Sequence, residues 1–376
     1  MVKVLYVVDR LHRGSGVTTV VLNYLLHMDR SDIRIDVIAL PTSDSDVVEE
    51  LVDSGIKVHF MPALSLLKIR SYYQFWHDFF RNNKYDIIHS HFNQIDYIVF
   101  FVGKHYGINE FISHSHNTKL SEIKWKAIRN FIMCYPARKL ATRWAACSDV
   151  AGVALFGKEF LQSEKSIRIN NAVNCRLFGY DADTRFSMRK QYGLSNKIKV
   201  LACIGTFKVQ KNQAYLLPIL KELLSDDDNY RLIFVGGGNM LDDVKKKVDD
   251  MELSQYVIFT GVVSNVKDYY QMADVLLMPS LYEGLPMVGI EAQVSGLPCI
   301  FSDGITKEVN LNINSNMYLS LKVPAIKWIE GIKMLSTSAL RQDSVFIKKC
   351  GYDIDFEAER LKCKYIGWVR SKNSFN

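Results

Sequence analysis

The sequence predicts an α/β chain of two domains, each built on a parallel sheet. Three observations carry that prediction. At 376 residues the chain is longer than the ~250 residues that one hydrophobic core usually serves. Short apolar, β-branched runs alternate with amphipathic helical stretches from end to end. The runs lack the polar alternation of a sheet with one wet face, so they read as central strands covered by helices on both sides.

In the first half the strand runs are 2–8, 34–40, 57–60, 86–89, 111–114 and 144–147, with helical stretches at 17–27, 47–53 and 71–82 between them. A further run at 166–169 ends in the polar turn Asn170-Asn171, and the domain boundary is placed in the stretch after it. From 181 to 199 the chain is polar and charged, which suits a surface helix. The second half then repeats the pattern with runs at 200–204, 231–235, 257–260, 275–279 and 298–301. The tail from 353 to 368 carries an apolar stripe (Phe356, Leu361, Tyr365, Trp368) and reads as an ordered helix. The expected organisation is a first domain over 1–176, a second over 177–352, and a C-terminal helix over 353–376 that crosses back to the first. Parallel sheets bind ligands beyond the carboxyl ends of their strands, so the residues just after each strand are the place to look for function.

Composition narrows the classes. Hydrophobic residues make up 48% of the chain and charged residues 23%, which excludes a disordered polymer. Seven cysteines, an odd number without a CxxC pair, point to a reduced, intracellular chain. The opening apolar run is too short for a signal peptide, and no window approaches the ~20 apolar residues that span a bilayer. The expectation is a cytoplasmic protein, peripheral at the inner face of the plasma membrane if it touches a membrane at all. The basic stretch 119–146 bears on that point. Lys119, Lys124, Lys126, Arg129, Arg138, Lys139 and Arg143 stand there against the single acid Glu122, interleaved with Trp125, Ile128, Phe131, Ile132, Met133 and Trp144. It reads either as a surface for anionic lipid or as a solvated helix pair with one face in the core. No nucleic-acid recognition motif accompanies it, so nucleic acid is not expected as a partner.

The stretch richest in chemistry is EGLPMVGIEAQVSGLPCIFSD, residues 283–303. It follows the run 275–279, turns at Gly284 and begins a helix near Pro286, a residue suited to a first helical turn. Free backbone amides at that start form an anion site. Glu283 precedes the helix and Glu291 lies in its second turn, where side chains lean toward the N-terminus. Two carboxylates flanking a phosphate site suit a ligand that carries both a diphosphate and hydroxyls, a nucleotide sugar. The plainer reading of the two glutamates is a favourable interaction with the helix dipole.

These residues resemble the EX7E signature of the retaining glycosyltransferases of family four, which have the GT-B fold. The resemblance continues in order along most of the chain: Gly14-Ser15-Gly16, the segments 86–91 and 112–117, Ala146-Cys147-Ser148, the segment 169–173, Gly205, Lys211-Asn212 and Thr260-Gly261. It is nearest to bacterial members that build capsular and extracellular polysaccharide. The fold it implies is GT-B, two Rossmann-like parallel-sheet domains facing a central cleft. The activity it implies is metal-independent transfer of a sugar, with retention, from a nucleotide sugar (a UDP-sugar, UDP being the commoner base in this group) to a saccharide or a polyprenyl-diphosphate-linked oligosaccharide. The nucleotide sugar is then a substrate, and no cofactor is expected.

Carried over by residue, the resemblance implies that Glu283 contacts donor-sugar hydroxyls, Glu291 the ribose hydroxyls, and Lys211 the leaving diphosphate. Gly284 and the amides of Leu285 and Met287 would surround the phosphates, with Gly237 and Val262 near the nucleotide. His116, in preference to His114, would line the sugar site. Thr206 stands where the family usually has arginine, so a second cation on the diphosphate is missing unless Lys208 replaces it. Gly14 and Gly16, between the first strand and the helix 17–27, would let backbone approach a phosphate or the acceptor.

Rival readings fare less well. The third glycine of a dinucleotide fingerprint is absent after Gly16, which argues against a nicotinamide enzyme. The pairs His89/His91 and His114/His116 place imidazoles on one side of a strand, yet no cysteine or carboxylate pattern completes a zinc site, and no metal is expected. A glycosidase would need a carboxylate acid and base. A nucleotide-sugar epimerase, and a partner that binds nucleotide sugars without catalysis, stay open.

Overall fold

The computed structural model describes residues 1–116, 124–312, 315–337 and 351–373. The chain divides into two compact units, one formed by Met1–Ala172 with Ile354–Asn376, the other by Val173–Asp353.

The first unit holds a seven-stranded sheet: β1 (Val2–Val7), β2 (Ile33–Ala39), β3 (Lys57–Phe60), β4 (Ile87–Ser90), β5 (Glu110–Ser115), β6 (Arg143–Ala146) and β7 (Ser166–Arg168). Every pairing is parallel and the order is β3-β2-β1-β4-β5-β6-β7. Strands grow outward from β1 to β3 on one side and from β4 to β7 on the other, so the winding reverses between β1 and β4. The register there sets Tyr6 opposite His89. The central strands β4 and β5 are buried on both faces, and the polar side chains they carry there, among them His89, Ser113 and His114, are buried with them. The helix Ile69–Asn82 seals one side with Trp76, Phe79 and Phe80. The C-terminal helix Ile354–Asn373 lies in this unit, packed on the helix Gly16–His27 and on β1, with Tyr365 fully enclosed.

The second unit holds six parallel strands: β8 (Lys199–Ile204), β9 (Tyr230–Val235), β10 (Val257–Phe259), β11 (Val275–Met278), β12 (Cys299–Ser302) and β13 (Met317–Leu319), ordered β10-β9-β8-β11-β12-β13. Its winding reverses between β8 and β11. Phe207, Phe234, Trp328 and the leucines of the helix Leu216–Asp226 form the core on one face. The helix Ala182–Gln191 is tied to the foot of β11, where Arg185 and Arg189 both pair with Asp274.

Two details differ from the sequence reading. Strand β13 is absent from that reading because it is a three-residue, half-buried edge with no sustained apolar run. The basic stretch was expected to be either a lipid-facing surface or a helix pair; among the described residues it is a single helix, Lys124–Leu140, followed by β6. Trp144 belongs to β6 and is buried, and Arg143 lies over the ring of Trp368, so neither is part of an exposed basic face. Lys119, Glu122 and Asn117 lie outside the described residues, as do the side chains of Lys124, Lys126, Ile128, Phe131 and Met133.

Candidate active site

In the second unit the loops after β8, β9, β10, β11 and β12 emerge from the carboxyl ends of the strands and are knitted together by backbone. Gly205 N–H donates to Val235, Phe207 N–H to Gly237 at 2.8 Å, and Gly236 N–H to Gly261 at 2.9 Å. A side chain at Gly236 would press on the Gly205 carbonyl at 2.3 Å, and one at Gly238 on that of Phe207 at 2.4 Å. The outer two glycines of the Gly-rich loop are thus required by close packing of two backbones. Gly237, between them, sits under the side chain of Val262, which is itself 76% exposed just past β10.

Across the reversal of winding, the β8 loop meets the β11 loop. Gln210 accepts from the Leu281 amide at 2.8 Å and its side chain donates to the Tyr282 carbonyl at 2.9 Å, while Asn212, in the left-handed region at φ 54°, reaches the Pro279 carbonyl. This stitching brings Lys211 Nζ to 2.6 Å from Glu283 Oε1, with both side chains largely withdrawn from water. The contact is an ion pair; its angles at the carboxylate are not those of a directed hydrogen bond. Glu283 is held from behind by its own amide, which donates to the Gly304 carbonyl. A cation from one loop and an anion from the next therefore stand at the switch point where parallel sheets bind ligands.

Past Glu283 the chain enters the helix Met287–Val294, with Pro286 as the residue before its first turn. Its first amides have no acceptor within the helix and face outward from its N-terminus. The helix is buried, with Glu291 and Gln293 its two polar side chains. Gly289 lets it sink onto the sheet, since a Cβ there would meet Val309, Phe301 and Met278. Leu285 and Met287 contribute buried side chains to this seat, so what they can offer a ligand is backbone. Glu291, one turn in, is 6% exposed and accepts a 2.6 Å hydrogen bond from the Tyr270 hydroxyl. Burial pushes its carboxyl up to about 7, against the opposing pull of Tyr270. Tyr270 was not among the residues singled out from sequence, and no local pattern marks it; only the packing of the helix Val266–Met272 beside the helix of Glu291 reveals it.

Thr206 is half-buried, and its carbonyl accepts from the side chain of Gln213 at 3.1 Å. Lys208 is exposed to solvent.

The first unit presents different chemistry at its own reversal. Gly14 has φ +88°, which only glycine adopts without strain, and Gly16 opens the helix Gly16–His27; a Cβ on either would meet nothing within 4 Å. On β4 and β5 (His89, His114) and one residue past their carboxyl ends (His91, His116) the four histidines gather into one stack. The ring centroids of His114 and His116 are 4.1 Å apart, those of His89 and His91 4.5 Å, and those of His91 and His114 4.8 Å. His89 Nε2 pairs with His114 Nδ1 at 3.1 Å, and His91 Nδ1 with His116 Nε2 at 2.8 Å. Burial lowers all four, His116 to about 4 and His89 to about 3, so the stack is neutral at pH 7. His89, His91 and His114 can bring one nitrogen each within 4.8 Å of the others. Stacked, near-parallel rings nevertheless put an ion that lies in the plane of one imidazole out of the plane of the next, so this geometry suits a neutral stack better than a metal centre.

Residues 184–319 match the family described as Glycosyl transferases group 1. Over 366 residues the chain is 27% identical to EpsF of Bacillus subtilis (strain 168), covering 95% of this chain and 94% of that protein. It is 24% identical over 312 residues to the UDP-Gal:alpha-D-GlcNAc-diphosphoundecaprenol alpha-1,3-galactosyltransferase of Escherichia coli, covering 80% and 77% of the two chains. Among solved structures, Anabaena Alr3699/HepE in complex with UDP-glucose superposes with a TM-score of 0.72 at 15% identity over the whole of both chains, a likeness of fold. A group 1 glycosyl transferase domain in the second unit, two parallel-sheet units of the GT-B type and full-length similarity to such relatives together identify this chain as a glycosyltransferase resembling those of family four.

Proposed function

We propose that the chain transfers a sugar, with retention, from a UDP-sugar to a saccharide or lipid-linked oligosaccharide in cell-surface polysaccharide synthesis. The observation that carries this reading is the Lys211–Glu283 pair at the β8/β11 switch point, beside the open N-terminus of the helix Met287–Val294. A donor entering there exchanges the ion pair for two better-matched contacts. Its diphosphate takes Lys211 and the first helix amides, and its sugar hydroxyls donate to the freed Glu283 carboxylate. Glu291, deeper in the seat, accepts from the ribose hydroxyls. In the transfer step the bond from the anomeric carbon to the diphosphate oxygen breaks. The acceptor oxygen bonds to the same face, and its proton passes to the departing diphosphate. Lys211 and the helix amides hold the negative charge that develops, a role that fixed charge fills well away from bulk water and that asks for no metal.

The acceptor half rests on the helix Lys124–Leu140 of the first unit. Trp125, Ile132 and Tyr135 are exposed on it, with Arg129 over the Trp125 ring and Lys139 over that of Tyr135. Aromatic and basic side chains together suit an anionic bilayer surface, where a polyprenyl-linked acceptor resides. No described helix is long and apolar enough to cross a membrane. The E. coli relative, by its name, acts on a diphosphoundecaprenol-linked sugar.

A second reading, a partner that binds nucleotide sugars without catalysis, is favoured by Thr206 at the position of the family arginine. Thermal shift and turnover with a panel of UDP- and GDP-sugars, in EDTA and with anionic liposomes, separate the two. The expected result is stabilisation and slow hydrolysis by one UDP-sugar despite EDTA, and flotation with the liposomes that Arg129→Glu with Lys139→Glu abolishes. Stabilisation without turnover, even with liposome-borne acceptor, would favour the binding partner. No shift with any donor would remove the nucleotide-sugar site altogether.

A further inference from the structure

One hydrogen-bonded chain in the first unit joins four side chains from four elements. Tyr6 of β1 and Tyr365 of the C-terminal helix have hydroxyls 2.6 Å apart. Tyr365 also lies 2.5 Å from His89 Nδ1 on β4, and His89 Nε2 lies 3.1 Å from His114 Nδ1 on β5. All four groups are almost wholly enclosed, and burial keeps both imidazoles neutral.

Neutrality makes the hydrogens countable. Each group carries one, the chain has three links, and one hydrogen is left over. In one order Tyr6 donates to Tyr365 and Tyr365 to His89 Nδ1. His89 must then carry its hydrogen on Nε2 and give it to His114 Nδ1, which leaves an N–H at His114 Nε2. In the reverse order the spare hydrogen sits on Tyr6, and in a third, where Tyr365 accepts from both neighbours, it sits on Tyr365; in both His114 Nε2 is a bare lone pair. His114 Nε2 is buried and has no hydrogen-bond partner among the described residues. Its ring stacks on the half-buried His116 just past the carboxyl end of β5, where a ligand can come, whereas Tyr6 lies inside the sheet beneath the C-terminal helix. A ligand oxygen can relieve a spare hydrogen on His114 and cannot relieve one on Tyr6 or on the fully enclosed Tyr365.

We propose that Tyr365 is a positioning residue: its hydroxyl holds His89, and through it His114, in the Nε2–H form, so that His114 Nε2 offers a hydrogen to an oxygen of the sugar substrate. This deepens the sugar-transfer reading and rests on it only for the kinetic readout. The C-terminal helix thereby contributes to the site without touching substrate.

The test is two-bond proton–nitrogen NMR of the full chain with 15N-histidine, near pH 7.5 and without substrate. His89 and His114 should both appear as single Nε2–H tautomers. Tyr365→Phe should turn His89 into a mixture, while Tyr6→Phe, which leaves the Tyr365 donor in place, should not. With the donor and acceptor in hand, Tyr365→Phe should lower kcat about tenfold at unchanged donor KM, as for one lost transition-state hydrogen bond. An Nδ1–H tautomer on either histidine of the wild type overturns the proposal, and this holds even if Tyr365→Phe does not fold. Tautomers that ignore Tyr365→Phe, or a kcat that does, overturn it as well. Because the tautomers need no substrate, a wild type without turnover would sink the sugar-transfer reading and leave this one standing or falling by NMR.

Discussion

The two units share one architecture and use its switch point in opposite ways. In the second, the loops after β8 and β11 bring together opposite charges, Lys211 and Glu283, with an ionisable carboxyl, Glu291, one helical turn deeper. In the first, strands β1, β4 and β5 and the C-terminal helix gather two phenols and four imidazoles into one neutral, stacked and hydrogen-bonded cluster, while the buried carboxyl of Asp96 is taken up by the Ser113 hydroxyl. The topology thus selects where a ligand can bind, and the loop and strand-end residues select whether the place speaks to charge or to hydroxyls. A nucleotide diphosphate needs the first kind of place. A sugar hydroxyl, orientated without being ionised, is served by the second.

The contrast breaks most sharply at Lys211. Lys211→Ala removes the only charge of the pair that can meet a leaving diphosphate, and transfer should slow by roughly a hundredfold or more, with Glu283→Ala similar. Lys208→Ala, whose charge is exposed and screened, should cost less than about tenfold; equal losses at Lys208 and Lys211 would show that the exposed lysine takes the place of the missing arginine. Next in size is Glu291→Gln, which should weaken UDP binding by roughly tenfold, the worth of a charge-assisted hydrogen bond. Wild-type affinity should tighten as pH rises through about 7, where the Glu291 carboxyl ionises, and the variant should lose that dependence. A variant that keeps the pH dependence would assign it to another group.

The smallest effect is on stability, and here the histidine stack and Glu291 should respond to pH with opposite signs, while Asp96 of the first unit, pushed up to about 6 by burial, acts in the same direction as Glu291. The histidines are held below their ordinary 6.5, so folding excludes protons that the unfolded chain binds; their contribution is whole above about pH 6.5 and is lost as pH falls toward 4. Glu291 is held above its ordinary 4.5, so its contribution is present below that pH and is lost as pH rises to about 7. Hydrogen exchange, corrected for intrinsic rates, should show β4 and β5 losing protection on acidification, and the helix Met287–Val294 losing it on the way up to neutrality. Loss of protection in β4 and β5 as pH rises would mean that Asp96 outweighs the histidines there, and Asp96→Asn should then restore the loss on acidification.

Much of the strand pattern was legible because the central strands, covered on both faces, are largely apolar, and twelve of the thirteen described strands coincide with a run read from sequence. The edge strand Met317–Leu319, apolar but only three residues long and half-buried, escaped. The segment 283–303 was legible as a site because its chemistry is local: a strand end, a glycine, a helix start and two glutamates within a few residues. Lys211 was reached only through resemblance, since nothing in Lys211-Asn212 by itself distinguishes a site lysine from a solvated one. The two HxH pairs were visible, while their stacking was not, because a strand pattern shows which side a residue faces and not which neighbour it meets. Tyr270 carried no signal, and Tyr365 only that of an apolar stripe on the tail helix, with nothing to mark its hydroxyl.

What the sequence determined by itself is therefore the alternation that builds two parallel sheets and the helix start that offers amides to an anion, since both follow from local periodicity and local backbone geometry. Only the tertiary structure decided that Lys211 faces Glu283, that Tyr270 holds Glu291, and that a tyrosine near the end of the chain reaches His89. Each of those contacts depends on strand order, and strand order is fixed by how whole helices and sheets bury their apolar faces rather than by any segment alone.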